Sequence, residues 1–363
     1  MAKLLFITQK IDKNDDVLGV YHRWAEELAK KTNKLNIICL YKGESTLDKS
    51  INVFSLGKDE RNLEIRNWKL EIIWKLKYVY RFYKYIFSIR KEYDTVLVHM
   101  NPIYLVLGGV FWKLMNKKIF LWYNHPMGNM LAMVGIFFSN KVFCTSPYSF
   151  SAKYKKTSLM PVGVDTNFFR PMPEISKNNR QVLYLGRISP IKKIEYLIEA
   201  AKILDNRSFD FKVLIVGSPS SSIVDKEYEL KLKKMSADLL SRGKIEFRPA
   251  ISNQKTPEVY NSSGVFVNLT PTGSFDKTIL EAMACGLLVL VSNKTVEAII
   301  PIAYKNRVIF KEENVGDLAE KIIAYTKITN NEQENITVFM RRLVVEKHSL
   351  VQLINKLAVF IEN

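Results

Sequence analysis

The segment "GVFVNLTPTGSFDKTILEAMACGLLVLVSN", residues 264–293, decides the fold of this chain. It holds two short apolar runs, and between them a loop of Thr, Pro, Gly and Ser leads into a helix-like stretch. Strand, loop, helix, strand is the implied order. Asp276 suits the N-cap, Ala282, Met283, Ala284 and Cys285 suit a tightly packed helix, and Gly286 suits a left-handed stop. One carboxylate, Glu281, sits about one turn into that helix.

The same scheme runs along the whole chain. "KLLFIT", "LNIICLY", "TVLVHM", "KIFLWY" and "KVFCTS" are apolar runs of the first half; "QVLYLG", "FKVLIVG", "KIEFRP", "GVFVNL" and "LLVLVS" repeat the pattern in the second. Helix-like stretches separate them, among them residues 20–31, 194–204 and 227–240. Apolar strands alternating with helices mean parallel sheets covered on both faces. At 363 residues and 47% hydrophobic content the chain can fill two such cores. The aperiodic residues 161–181, rich in Pro and Asn, hold the linker, placed at 170–179. The fold expected is α/β, with two Rossmann-like open parallel-sheet domains, 1–170 and about 180–345, facing across a cleft where their strand C-termini place a ligand.

Three cysteines, Cys39, Cys144 and Cys285, lie far apart with no paired spacing, which points to a reducing, cytoplasmic compartment without a disulfide frame or structural metal. The N-terminal "MAKLLFITQK" has too short an apolar core for a signal peptide and reads as a first strand. Residues 119–140 carry no formal charge. Asn124, His125, Pro126 and Gly128 in their middle argue for strand, loop and apolar helix rather than a membrane span.

The net charge of +18 is unevenly placed, since residues 1–170 hold 27 Lys and Arg against 14 Asp and Glu. Much of the excess sits in residues 66–91, which Arg66 opens and Lys91 closes, where eight basic and eight aromatic residues accompany only Glu71. Ile72, Leu76, Val79, Tyr83 and Ile86 recur at helical steps and form one apolar stripe, with Lys75, Lys77, Arg81 and Lys84 elsewhere on the wheel. A core-packed helix with a solvated basic side is one reading. Attachment to an anionic membrane surface is the other. Nucleic acid is not an expected partner, because no zinc-finger, RRM or helix-turn-helix pattern accompanies the charge.

Chemistry enters at the strand ends. A turn between strand and helix presents backbone N–H groups where the helix dipole favours an anion. Gly273 and Ser274 allow close backbone approach there, and Lys277 adds a donor. Glu281 either accepts hydrogen bonds from a vicinal pair of ribose hydroxyls or only favours the helix dipole. In "VLYLGRISPIKKIEYLIEAAKIL", residues 182–204, Arg187 stands at a strand end and Lys192 at a helix start. The two can converge on one phosphate pair, the arginine as a fork and the lysine as a point charge.

"GRISPIKKIEYLIEAAKIL", "FKVLIVG", "PVGVDTNFF" and "SFDKTILEAMACG", in that set of positions, resemble the GT-B fold glycosyltransferases of family 4, the glycosyl transferases group 1 type. These are retaining enzymes that use nucleotide sugars. The resemblance implies that Arg187 and Lys192 contact a donor diphosphate and that Glu281 contacts the ribose. It also implies that the loop near Gly19 lies by the donor phosphates and that His125, in "WYNHP", faces the reacting sugar. Gly186, Gly217, Ser274, Phe275, Asp276, Lys277 and Thr278 are the further donor-binding candidates; Asp16, His99 and Asn124 are candidates for acceptor or sugar contacts. The final helix, within about residues 346–363, is expected to return to the first domain. One departure is that Gly273 stands where the family carries a glutamate, so Asp276 or the backbone N–H groups of residues 275–278 are left to contact the transferred sugar.

The expected activity is transfer of a sugar from a nucleoside-diphosphate sugar to a saccharide or lipid-linked acceptor, in cell-surface polysaccharide or glycolipid assembly. The enzyme is expected to act at the inner face of the cytoplasmic membrane. Neither a cofactor nor a metal is called for, since the chain has no D-x-D acidic pair and the nucleotide sugar is a co-substrate. The alternatives are a nucleotide-sugar epimerase of the same fold and a non-catalytic nucleotide-sugar or membrane-binding module.

Overall fold

A computed structural model describes residues 2–16, 18–60, 68–272 and 275–362; Arg66, Gly273 and Ser274 therefore lie outside the described residues. The chain divides into two units, Met1–Gly163 with Leu350–Asn363, and Val164–Ser349.

The first unit is built on a seven-stranded sheet of β1 (Lys3–Ile11), β2 (Lys34–Lys42), β3 (Asn52–Ser55), β4 (Thr95–His99), β5 (Lys118–Trp122), β6 (Lys141–Cys144) and β7 (Thr157–Leu159). The order is β3-β2-β1-β4-β5-β6-β7, and every neighbouring pair is parallel. All five apolar runs of the first half are strands. β3 and β7, the two edges, have no fully buried residue and no apolar run to announce them.

Helices cover both sheet faces. On one, α1 (Val20–Ala29) places Val20, Trp24, Ala25 and Leu28 inward, at steps that keep one helical face down. The last helix, Leu350–Glu362, lies with it, and Leu353, Ile354 and Leu357 share a core with Trp24, Trp122 and Phe143. On the other face lie α2 (Trp68–Ser88), α3 (Ile103–Leu114) and α4 (Met130–Phe138), whose Phe82, Ile86, Tyr104, Trp112 and Ile136 pack onto Leu5, Val98 and Leu121.

α2 corrects the expected stripe. Ile86 is buried, but Ile72 and Leu76 are exposed, and Val79 and Tyr83 are only partly covered. The helix reaches the core through Tyr78, Phe82, Tyr83, Tyr85 and Ile86, while Trp68, Leu70, Ile72, Ile73 and Leu76 nearer its start are exposed. Among the described residues no helix is long and apolar enough to cross a membrane.

The second unit holds β8 (Asn178–Leu185), β9 (Lys212–Val216), β10 (Ile245–Arg248), β11 (Ser263–Asn268) and β12 (Leu288–Val291), in the order β10-β9-β8-β11-β12, all parallel. α5 (Ile194–Asn206) buries Ile194, Leu197, Ile198, Ala201 and Leu204 as its periodicity demands. The helix expected at 227–240 is two, Ile223–Met235 and Ala237–Ser241, broken at Ser236, whose hydroxyl donates to the Leu232 carbonyl at 2.8 Å.

Residues 170–179, expected as the linker, belong to the second unit. The Met172 N–H donates to Asn261 Oδ1 at 2.8 Å, Asn261 Nδ2 donates to the Arg170 carbonyl at 3.0 Å, and β8 already begins at Asn178. The chain leaves the first unit after Gly163 and returns to it at Leu350. Beside these points Val164 and Ser349 form a parallel bridge, and the Val164 N–H donates to the His348 carbonyl at 2.9 Å.

Candidate functional site

Parallel strands deliver their following loops to one end of a sheet, and in the second unit the candidate residues gather there. β8 ends at Leu185 and gives way to Gly186 and Arg187; β9 ends at Val216 before Gly217; β11 ends at Asn268 before the loop to Asp276. The first two loops are knitted by backbone. Gly186 N–H donates to the Val216 carbonyl at 3.0 Å and Ile188 N–H to the Ser218 carbonyl at 3.1 Å. Gly217 has φ +156°, and a Cβ there would stand 1.9 Å from the Gly186 carbonyl oxygen. Only glycine permits that approach.

The helix Lys277–Ala284 starts as the sequence implies. Asp276 caps it, accepting from the Thr278 N–H at 3.4 Å and the Thr278 hydroxyl at 2.9 Å. It ends at Gly286 with φ +74°, where Gly286 N–H reaches the Met283 carbonyl and Leu287 N–H the Ala282 carbonyl, a Schellman arrangement.

Asp276 does more than cap. Its Oδ2 accepts from Lys192 Nζ at 2.5 Å, Thr270 Oγ1 at 2.9 Å and Asn268 Nδ2 at 3.1 Å. The two charged side chains are 12% and 18% exposed, so their attraction is little screened. Burial acts to raise the Asp276 pKa, but the Lys192 charge and the hydrogen bonds from Lys192, Asn268 and Thr270 outweigh it and hold the carboxyl far below its ordinary range. Asp276 is a fixed anion. Lys192 spends one N–H on it and another on Thr270 Oγ1 at 3.2 Å, leaving a third donor.

Arg187 is exposed, and no ion pair engages it among the described residues. Its carbonyl accepts from the Tyr184 hydroxyl at 3.0 Å. Burial pushes the Tyr184 phenol up, the Asp276 charge adds to that and the Arg187 charge opposes it, which places both charges around one hydroxyl. Arg187 also helps lower the Asp225 carboxyl: burial would raise it, and hydrogen bonds from Ser220 and Ser189 with the Arg187 charge overcome that.

Glu281 is 4% exposed and accepts from the Tyr260 hydroxyl at 3.2 Å. Burial drives the Tyr260 and Cys285 groups up, and the Glu281 charge adds to both shifts. Lys277 and Thr278 are half-buried in the first helical turn. Phe275 rests its ring 5.3 Å from that of His348. Asn268, Thr270, Tyr260 and His348 escaped the sequence reading. Asn268 and Thr270 were within its reach, as polar residues closing an apolar run.

In the first unit Gly19 is buried at the start of α1, and the loop before it is tied by Lys10 Nζ to Asp15 Oδ2 at 2.6 Å and Asp12 Oδ2 at 3.2 Å. Asp16 is exposed. His125 is exposed after β5, with its Nδ1 2.9 Å from the Met127 carbonyl and 3.1 Å from the Met127 N–H. Asn124 braces this turn, its Oδ1 accepting from Thr145 N–H at 2.8 Å. His99 closes β4 inside an aromatic cage, 4.2 Å from the Tyr21 ring and 5.6 Å from that of Trp24, and is 3% exposed. The structure thus gathers Lys192, Asp276 and Thr278 on one network, sets Arg187 beside it, and separates buried His99 from exposed His125.

Comparison with known proteins bears on this arrangement. The family described as "Glycosyl transferases group 1" matches residues 165–337. The chain is 30% identical over 156 residues to a D-inositol 3-phosphate glycosyltransferase of Gordonia bronchialis, covering 40% of this chain and 34% of that protein. It is 25% identical over 147 residues to a mannosylfructose-phosphate synthase of Agrobacterium fabrum, covering 38% and 32%. The match spans about a third of the length of these curated relatives. Among solved structures, a glycosyltransferase from Rickettsia africae shares the fold over 99% of this chain and 98% of its own, at a TM-score of 0.74 and 19% identity. So does Anabaena Alr3699/HepE in complex with UDP and glucose, over 100% of both chains at 0.76 and 16%. Residues 165–337 are accordingly similar to the glycosyl transferases group 1 family, on a chain with the GT-B fold.

Proposed function

We propose that the chain is a retaining glycosyltransferase that moves a sugar from a nucleoside-diphosphate sugar to a saccharide or lipid-linked acceptor. The observation that carries this reading is the cation pair at the strand ends of the second unit, with Lys192 anchored by Asp276 and Arg187 exposed and held in no ion pair among the described residues. An arriving diphosphate takes the third ammonium donor of Lys192 and the guanidinium fork of Arg187. These two charges and the start of the helix Lys277–Ala284 offset the charge that develops on the departing nucleoside diphosphate, so no resident metal is required. Glu281 receives the ribose and His125 faces the reacting sugar. The acceptor is met at the inner face of the cytoplasmic membrane, during assembly of a cell-surface saccharide or glycolipid.

Asp276 bears on the sugar. Its carboxylate accepts from Lys192, Asn268, Thr270 and Thr278, and a glycine at 273 supplies no second carboxylate. Sugar hydroxyls therefore meet an anion already shared with Lys192, Thr270 and Asn268.

The test is the thermal shift of the purified protein with UDP, GDP, ADP and TDP, without and with Mg2+. A ligand at a hundredfold excess over its Kd stabilises by about 2.7 kcal/mol. Stabilisation by one nucleotide without Mg2+, abolished in Arg187→Ala, is the expected result. No shift with any of them in a folded protein would sink the proposal.

A further inference from the structure

α2, α3 and α4 pack side by side on one sheet face. The Tyr83 hydroxyl donates to the Leu107 carbonyl at 3.1 Å, its ring meets that of Phe111 at 5.6 Å, and the Phe138 ring lies against the backbone of Gly109. Their inward residues belong to a single core, so their other sides form one outer surface of the first unit.

That surface is apolar to an unusual degree. On α4, Met130 is 79% and Phe137 76% exposed; on α3, Leu114 is 79% exposed. On α2, Ile73, Leu76 and Tyr80 follow at three- and four-residue steps along an exposed stripe. Soluble surfaces seldom leave so many large apolar side chains together without something to cover them. The charge around them has one sign: residues 68–140 hold ten Lys and Arg against three Asp and Glu. Lys77 and Arg81 are engaged by Glu60, but Lys75, Lys84 and Lys91 are exposed with no acidic partner among the described residues.

We infer that the outer surface of α2, α3 and α4 docks on an anionic lipid bilayer, with α4 and the end of α3 entering the headgroup boundary and the lysines of α2, with Lys91 just beyond its end, meeting lipid phosphates. Protein interfaces are depleted of lysine, whereas a bilayer surface takes apolar side chains and lysines together, the stems buried and the ammonium groups at the headgroups. Side chains that enter only the headgroup boundary, with a few lysines at about 1 kcal/mol each, make the attachment peripheral and reversible. The inference deepens the proposed transfer to a lipid-linked acceptor by naming the surface that meets the lipid.

Co-sedimentation tests it, with vesicles of phosphatidylcholine alone and of equal parts phosphatidylcholine and phosphatidylglycerol. The protein should bind the anionic vesicles, and release in roughly 1 M salt, where the Debye length falls to about 3 Å. Lys84→Gln with Lys91→Gln removes two cations and should weaken binding roughly thirtyfold. Phe137→Ser with Met130→Ser, both exposed, should weaken it at least tenfold while the melting temperature holds. Equal binding to both vesicles, or binding to neither, overturns the inference, as does a dimer dispersed by the same serine substitutions in a protein that ignores vesicles. The nucleotide thermal shift on the same samples separates this outcome from failure of the transferase reading, because none of these residues lies in the second unit.

Discussion

Lys192 Nζ stands 2.5 Å from Asp276 Oδ2, joining the loop after β8 to the N-cap of a helix 84 residues later. The contact links binding chemistry to stability. The same carboxylate caps the helix, fixes the lysine and gathers two neighbouring polar side chains.

Asp276→Asn keeps a capping side chain but removes the anion. A part-buried pair broken from one side should cost about 1–3 kcal/mol, between the values for exposed and fully buried pairs. The folded-state pKa lies below the unfolded value, so this stability is present above the ordinary carboxylate range and is lost as the pH falls from about 4 downward. Urea melts of both proteins at neutral and acid pH should converge at the acid end. Curves that stay parallel would contradict this role.

Gly217→Ala drives a methyl group at the Gly186 carbonyl oxygen, a backbone atom that has no side-chain freedom to yield. The expected loss exceeds about 2 kcal/mol, read as a lower urea midpoint with unchanged slope. A midpoint equal to that of the parent would show that the two loops are not held in this contact.

Burial, helped by the neighbouring Lys347 charge, lowers the His348 pKa to about 4. The unfolded chain then binds the proton more readily, so stability is full above the ordinary histidine value and declines as pH falls from about 6.5 toward 4. His348→Gln should flatten the melting temperature over that window. His22 is also lowered by burial, opposed by Glu26 and assisted by Arg23, so a smaller slope should persist in the variant.

Glu281→Gln retains an acceptor for the Tyr260 hydroxyl and alters the group assigned to the ribose. Nucleoside diphosphate affinity should fall roughly five- to thirtyfold, about 1–2 kcal/mol, while inorganic pyrophosphate binds as before. Calorimetric titration with both ligands separates ribose recognition from diphosphate recognition. Equal losses for the two would remove the ribose assignment.

The eight central strands were legible because a parallel strand covered on both faces leaves an apolar run, and β10 and β12, edges of the second sheet, carried short runs of their own. β3 and β7 lie at the edges, need no such run, and left no trace. α2 was misread for a related reason: helical spacing reveals an apolar stripe, but with aromatic and aliphatic residues around most of the wheel it does not say which stripe meets the sheet. At the candidate site, Arg187, Lys192 and the Asp276 cap could be read locally. That Asp276 would hold Lys192 could not, since the pairing depends on β8 and β11 being neighbours. His99 shared its strand-end position with better candidates, and only the packing of Tyr21 and Trp24 shows it enclosed.

The last helix has a consequence for biosynthesis. The sheet made first relies on Leu353, Ile354 and Leu357, which leave the ribosome after every residue of the second unit. The second unit, residues 164–349, is therefore complete in synthesis before Trp24, Trp122 and Phe143 gain the last helix as their cover. A nascent chain halted before Leu350 would present that aromatic face to chaperones.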